Sequence, residues 1–289
     1  MTTPLRQLPD TIAARADGTP LDSIGEAVGK LADRIGPGPV KDLLSGTWLG
    51  HPLHPMLTDL PIGAWTSSFI LDVIGGERAA DASRTLVGVG VLAAVPTAVS
   101  GWSDWADTDG EDRTVGLSHA VGNVVATALY GASWIARKGG RRSLGIALAV
   151  AGSGVATGTA YLGGHLVYGR GIGVDNTAFD RVPKGWTVAM SADDLPGEGS
   201  VEVNVRGVPV LIARRTGRLF AVHDRCTHRG GPLHRGDLDD DTVTCPWHGS
   251  CFRLEDGEIV RGPATAPQPS YEARIHDGNV EIRRRAARS

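Results

Sequence analysis

The sequence predicts two unlike parts: an all-α transmembrane four-helix bundle followed by a small all-β domain. Three observations predict it. Long, nearly uncharged stretches rich in Gly and Ala fill the first half. Short runs of alternating apolar and polar residues, punctuated by glycine, fill the second. Between them lies a segment of glycine, proline and charge, GRGIGVDNTAFDRVPKG. The 289 residues suit about two domains at roughly 150 residues each. Lys plus Arg number 29 against 32 for Asp plus Glu. That balance gives no bulk attraction for nucleic acid, and no nucleic-acid partner is expected. Three cysteines are too few for a disulfide scaffold.

Residues 1–47 form an N-terminal segment. Leu21, Ile24, Val28, Leu31 and Ile35 recur at helical spacing and predict an amphipathic helix. No basic region followed by an apolar run marks a cleavable signal peptide. Residues 48–168 form the transmembrane domain. Its spans cover 57–75, 85–103, 117–136 and 144–168, near the roughly 20 residues that a membrane-crossing helix needs. The first holds Asp59 and Asp72, the second Pro96, the third His119 and Asn123, and the fourth no charge. Small residues, as in GSGVATGTAYLGG, let helices approach closely in lipid. Trp48, Trp102, Trp105 and Trp134 lie near span ends, as an aromatic belt requires, whereas Trp65 lies deeper. The lipid bilayer of the cell membrane, crossed several times, is the first partner expected.

Residues 169–185 form a linker that could reach up to about 55 Å if fully extended, enough for a swinging carrier. Residues 186–285 read as short strands: WTVAM, SVEVNVRG, VPVLIARR, RLFAVHD, DTVTCP, GEIVRG, YEARIHDG and NVEIRR.

All three cysteines fall in this β region. Cys226-Thr-His228 is followed, after sixteen intervening residues, by Cys245-Pro-Trp-His248. Two Cys and two His could bind zinc tetrahedrally. The flanks narrow the choice: CTHRGGPL and CPWHGSCF resemble the two cluster-binding loops of Rieske iron–sulfur proteins. The resemblance implies a [2Fe–2S] cluster, with Cys226 and Cys245 on the inner iron and His228 and His248 on the outer one. Two imidazoles in place of two thiolates raise the potential, to about −150 to +300 mV in such centres. The resemblance also marks departures. Gly231 and Trp247 stand where quinol-oxidising Rieske proteins carry a disulfide. Ser250 matches a serine that hydrogen-bonds the cluster, but Phe252 replaces the matching tyrosine and lacks its hydroxyl. The lost donor implies a lower potential, closer to the ferredoxins of ring-hydroxylating systems. Cys251 reads as a small, partly buried side chain, and His223 and His234 as surface or loop histidines. No second catalytic domain and no G-x-G-x-x-G in a βαβ context is visible.

The stretch HPLHPMLTDLPIGAWTSSFILDVIGG, with GGHLVYGRGIGV after the last span, resembles an uncharacterised family of four-helix bacterial membrane domains, sometimes joined to Rieske domains. The match runs over roughly 48–175 and implies a bundle without a known activity. Span parity puts His51, His54, His119 and His165 at the end of the bundle from which the β domain emerges. Ionisable residues in a membrane are costly and often functional. A haem b, quinone or metal site is therefore expected there, with His119 and His165 as the leading pair and His51 and His54 next. Arg78, Arg84, Arg137, Lys138, Arg141 and Arg142 at the opposite end argue that that end faces the cytoplasm. The missing export signal and the absent disulfide argue for a cytoplasmic iron–sulfur domain instead, and that placement is the one expected. The function expected is a membrane-anchored electron-transfer protein, relaying single electrons between donor and acceptor proteins or quinone. The alternatives are a quinol- or haem-linked oxidoreductase subunit and a membrane redox sensor.

Overall fold

The computed structural model describes residues 7–16, 27–30 and 34–285. Residues 27–30 are helical, and the rest of the amphipathic helix expected around Leu21–Ile35 lies mostly outside the described residues. The chain forms two compact units. One comprises Met1–Ile35 and Leu53–Ile172, the other Gly36–Pro52 and Gly173–Ser289. The helices are α1 (Leu8–Ala16), α2 (Pro39–Ser45), α3 (Leu53–Ile74), α4 (Ala80–Ala106), α5 (Gly110–Lys138) and α6 (Arg142–Tyr168).

In the helical unit α3 packs on α4 and α5 on α6, with α4 against α5 joining the two hairpins. Glycines end both α3 and α5, where Gly76 and Gly140 turn the chain with φ of 55° and 75°, values L side chains rarely adopt. Glu111 and Asp112 in the first turn of α5, and Arg137 and Lys138 in its last, match the helix dipole. The surface of this unit is apolar: Leu92, Val95, Val124, Val73 and Ile74 are exposed. Its interior mixes apolar side chains such as Trp65, Val87, Val115 and Tyr130 with polar ones: Ser68, Ser83, Ser100, Ser133, Thr159 and Arg137 are buried. An apolar exterior over a partly polar interior departs from the arrangement of a water-soluble bundle. Four spans were expected. Among the described residues, Gly76–Ala106 and Arg142–Tyr168 are long and apolar enough to cross a membrane, by length and composition. α3 and α5 instead carry the internal charges.

Those charges meet. Arg137 grips Asp72 with two hydrogen bonds, Nη2 to Oδ2 at 2.6 Å and Nη1 to Oδ1 at 2.9 Å. Their side chains are only 3% and 4% exposed. Arg142 adds a third bond to Asp72 at 3.3 Å. Arg137, counted above among loop charges, is thus an internal group neutralised by a partner.

The two hairpins also repeat one another. His54, Trp65, Ser68 and Asp72 on α3 stand 65 residues before His119, Tyr130, Ser133 and Arg137 on α5. Gly90, Thr97 and Gly101 on α4 stand 62 residues before Gly152, Thr159 and Gly163 on α6. Matched residues make matched contacts. Trp65 covers Gly90 as Tyr130 covers Gly152, and the two rings stack at 3.9 Å. Ser83 Oγ donates to the Ser68 carbonyl, and at the matched positions the roles are exchanged, Ser133 Oγ donating to the Gly145 carbonyl.

The second unit is all-β. Its larger sheet runs β1 (Thr187–Ser191), β10 (Asn279–Arg284), β9 (Ser270–His276), β4 (Arg218–His223), β3 (Val208–Arg215) and β2 (Gly199–Val205). The smaller runs β5 (Asp237–Asp239), β6 (Thr242–Thr244), β7 (Cys251–Arg253) and β8 (Ile259–Arg261), and every pairing is antiparallel. The run Val210-Leu-Ile-Ala213 in β3 is apolar throughout because both faces are covered. Val210 and Ile212 join one core with Tyr271 and Ile282, and Leu211 and Ala213 join another. That second core contains Cys226, Cys245 and Phe252. The expected strands all form; β5 and β7, three residues each, were not foreseen.

Residues Gly173 onward belong to this unit, so most of the expected 169–185 linker groups with it. Asn176 N–H donates to the Thr227 carbonyl at 3.0 Å, and its Nδ2 to the His228 carbonyl at 2.9 Å. Asp180 accepts from Nε2 of His223 at 3.0 Å.

Candidate metal centre

Two loops border the smaller sheet, one between β4 of the larger sheet and β5, the other between β6 and β7. Each opens on a cysteine and has the same fold. Cys226 N–H donates to the Gly231 carbonyl at 2.9 Å, and Gly230 N–H to the Cys226 carbonyl at 2.8 Å. Cys245 N–H donates to the Ser250 carbonyl at 2.8 Å, and Gly249 N–H to the Cys245 carbonyl at 3.1 Å. The fold turns back at Gly230 and Gly249, with φ of 76° and 75°. This explains the glycine four residues after each cysteine.

The turns aim backbone N–H groups at sulfur. His228 and Arg229 hydrogen-bond to Cys226, and Trp247 and His248 to Cys245. Such bonds favour the thiolate and tune a cluster's potential. The two thiols also bond each other. The bond from Cys226 draws the Cys245 thiol down to about 7, while that bond and burial push Cys226 up.

His228 and His248 lie side by side, ring centroids 5.1 Å apart and planes at 88°. Burial holds His228 well below the usual imidazole range, helped by His248 and by the cations Lys41 and Arg229. A neutral imidazole is the form that binds metal. The site thus offers a cysteine pair inside the core and a histidine pair above it. No single point draws three or more His, Cys, Asp or Glu side chains among the described residues. Two thiols and two imidazoles, each held as a pair, suit the two irons of a binuclear cluster. The residues present fit a [2Fe–2S] cluster.

The positions flagged in sequence fall into place. A Cβ on Gly231 would lie 3.1 Å from Trp247 Cγ and 2.7 Å from Cys245 Sγ. Gly231 and Trp247 are therefore neighbours, as the missing disulfide requires, and Trp247 is 56% exposed. Ser250 is buried and its Oγ accepts from Ala264 N–H at 3.0 Å. Phe252 fills the core below. Cys251 is buried and unpaired with any other cysteine.

Several supports were not foreseen. Gln268 is buried beneath the first loop. Its Nε2 donates to the carbonyls of His223 and Arg225 at 2.6 and 2.7 Å, and its Oε1 accepts from Thr227 N–H at 3.1 Å. A lone glutamine between prolines carries no signal of this. The strap 36–52, assigned from sequence to the N-terminal segment and the bundle, belongs to the β unit. Asp42 Oδ1 accepts from Gly262 N–H at 2.9 Å, and Thr47 Oγ1 donates to the Ala264 carbonyl at 3.0 Å. Pro37 lies against Gly249.

Three sequence readings need correction. His223 is fully buried rather than a surface residue. It accepts from Arg225 N–H through Nδ1, which leaves Nε2 to donate to Asp180. His51 lies in the strap, not the bundle. His119 pairs with His54, with centroids 6.4 Å apart, rather than with His165. Gly163 is the residue of α6 that seats His119, and two residues further turns the helix by about 200°. His234 stays at the surface edge, its Nδ1 2.8 Å from Asp224 Oδ2.

Comparison with known proteins accords with this geometry. A family model described as Rieske [2Fe-2S] domain matches residues 185–272, and one described as Predicted membrane protein (DUF2231) matches 50–176. Ferredoxin CarAc of Metapseudomonas resinovorans is 31% identical over 98 residues, which are 34% of this chain and 92% of that one. The 3-phenylpropionate/cinnamic acid dioxygenase ferredoxin subunit of Escherichia coli (strain K12) is 37% identical over 95 residues, 32% of this chain and 89% of that one. Apoptosis-inducing factor 3 of Mus musculus is 32% identical over 90 residues, and the match spans only 15% of its length. The β unit is a Rieske ferredoxin-like electron-transfer domain whose cofactor is a [2Fe–2S] cluster. The chain belongs to the Rieske [2Fe-2S] family, with a DUF2231 domain preceding its iron–sulfur domain.

Proposed function

We propose that this protein is a membrane-anchored electron carrier in which Cys226, His228, Cys245 and His248 hold the cluster. The observation that carries the reading is the pairing just described, thiols joined inside the core and imidazoles 5.1 Å apart above them. When bound, the cluster exchanges one electron at a time with a partner. The protein's own groups do the rest. Four backbone N–H groups point at the two sulfurs and favour the thiolate form that a metal binds, and burial holds His228 below the usual imidazole range. Trp247, exposed beside His248 with ring centroids 6.4 Å apart, gives a partner protein a flat apolar contact near the histidine edge.

The bundle supports the anchoring: apolar side chains outside and serine, threonine and an ion pair inside suit lipid. The relatives named as dioxygenase ferredoxin subunits support a soluble oxygenase-type protein as one redox partner. We place the β unit on the cytoplasmic face. Gly231 and Trp247 in place of a disulfide demand no oxidising compartment, and the ion pair with Asp72 removes Arg137 from the opposing loop-charge count.

The test is electron paramagnetic resonance of dithionite-reduced membranes from cells expressing the full chain. A signal with average g below the free-electron value is expected, retained after alkaline carbonate washing. Cys245→Ser and His248→Ala should each abolish it. A signal that survives either change sinks the ligand set, and one released by the wash sinks the anchoring.

A further inference from the structure

We infer that His54 and His119 are the two axial ligands of one b-type haem held between α3 and α5. The inference goes beyond the iron–sulfur domain and does not depend on it. Each ring is tied to a neighbouring helix in the same way. His54 Nδ1–H donates to the Thr97 carbonyl at 2.9 Å, and His119 Nδ1–H to the Thr159 carbonyl at 2.7 Å. A histidine that ligates metal through one nitrogen almost always donates its other N–H in this manner. The bonds fix the tautomer and make each Nε2 a lone-pair acceptor, that of His119 facing Asn123 Nδ2 at 3.1 Å. Each ring is seated on a glycine: a Cβ on Gly101 would come within 2.7 Å of His54, and one on Gly163 within 2.9 Å of His119. Any larger residue there would push the imidazole off its site.

The spacing says which kind of metal centre fits. Two imidazoles bound trans to one metal, at about 2 Å per bond, hold their centroids two bonds and two ring radii apart. That sum is close to the 6.4 Å between His54 and His119. Two imidazoles sharing a tetrahedral metal come closer, as His228 and His248 do at 5.1 Å. The same chain thus holds a histidine pair with tetrahedral spacing and another with trans spacing. Among the described residues no third His, Cys, Asp or Glu joins His54 and His119. A metal held trans by two side chains alone must bring its remaining ligands with it, and a planar tetrapyrrole brings four. The hairpin repeat adds to the fit, since His54 and His119 are equivalent positions and the two faces of haem make equivalent demands. Asn123 Nδ2, 3.1 Å from His119 Nε2, is the group that the metal displaces; it keeps its bond to the His119 carbonyl at 2.9 Å.

The test is titration of full-length, detergent-solubilised protein with hemin, followed by absorption and low-temperature electron paramagnetic resonance. The iron–sulfur signal and the helical circular dichroism serve as fold checks. One hemin per chain with a low-spin ferric spectrum is expected. His54→Ala and His119→Ala should each lose that spectrum, and His51→Ala and His165→Ala should keep it. Because both rings also brace helices through Thr97 and Thr159, His54→Gln and His119→Gln, which keep an amide donor, are run alongside. Loss of the low-spin spectrum with unchanged helicity supports the assignment. No uptake by folded wild type overturns it, as does a low-spin spectrum that survives at His54 or His119 variants or vanishes in His165→Ala. Hemin uptake by protein without an iron–sulfur signal would support the haem site while overturning the cluster ligands proposed above.

Discussion

At the scale of single residues, the metal centre depends on atoms that are missing as much as on those present. Gly231 has no Cβ, and one placed there would stand 2.7 Å from Cys245 Sγ, closer than real side chains approach. The sulfur is held on its other side by N–H groups of Trp247 and His248, so it cannot yield without losing them. Gly231→Ala is therefore expected to lower iron content and visible absorbance of the purified protein at least several-fold while leaving its helical circular dichroism unchanged. Full cluster occupancy in that variant would refute the crowding argument. The four proposed ligands stood out in sequence because the chemistry compresses them: each loop must present one thiolate, one imidazole and a left-handed glycine within five residues. Gln268 was not, because its role depends on reaching loop residues more than forty positions away. His223 misled for the same reason: its Asp180 partner comes from a segment that reads as a linker.

At the scale of elements, the four long helices and eight of the ten strands were readable, since their periodicity is local. β5 and β7 were not, because three residues carry no period, and Asp237-Leu-Asp239 is mostly polar. The strap around α2 was not readable either, as it is defined only by bonds to Gly262 and Ala264 more than two hundred positions away. The hairpin repeat was present in the sequence, in TAVSG at 97–101 and TAYLG at 159–163. It is easily missed because only its contact positions match. One matched pair, Asp72 and Arg137, has opposite charges, so the repeat closes on itself through a buried ion pair. Removing one partner of such a pair costs about 3–5 kcal/mol, because the other charge is left buried alone, while replacing both with apolar residues is often neutral. Asp72→Leu alone should therefore lower the thermal midpoint of the detergent-solubilised protein sharply. Asp72→Leu with Arg137→Met should recover most of the loss. A double variant no more stable than the single one would show that the pair contributes net stability of its own.

At the scale of the whole molecule, the two units are built on opposite solvents. The helical unit keeps serine, threonine and an ion pair inside and turns valine, leucine and isoleucine outward. The β unit buries its apolar side chains in two cores and carries its metal ligands at the edge of one of them. Each should therefore fail under a different stress. Cys226 and Cys245 are part of the β core, so stripping the iron leaves two thiols that must share a buried site, with Cys226 pushed up and holding its proton. The helical unit has no thiol among the described residues, and its packing owes nothing to those two sulfurs. Anaerobic treatment of the full-length protein with a strong iron chelator should thus abolish the iron–sulfur absorbance and lower the midpoint of the transition reported by β-unit tryptophans such as Trp186 and Trp247. The helical circular dichroism and its own melting transition should stay in place. Dilution below the critical micelle concentration should do the reverse, aggregating the protein through its apolar helical surface while the iron–sulfur signal persists. A single shared transition that moves as a whole under both treatments would mean that the units fold as one, and the separation of their interiors would then have no energetic meaning.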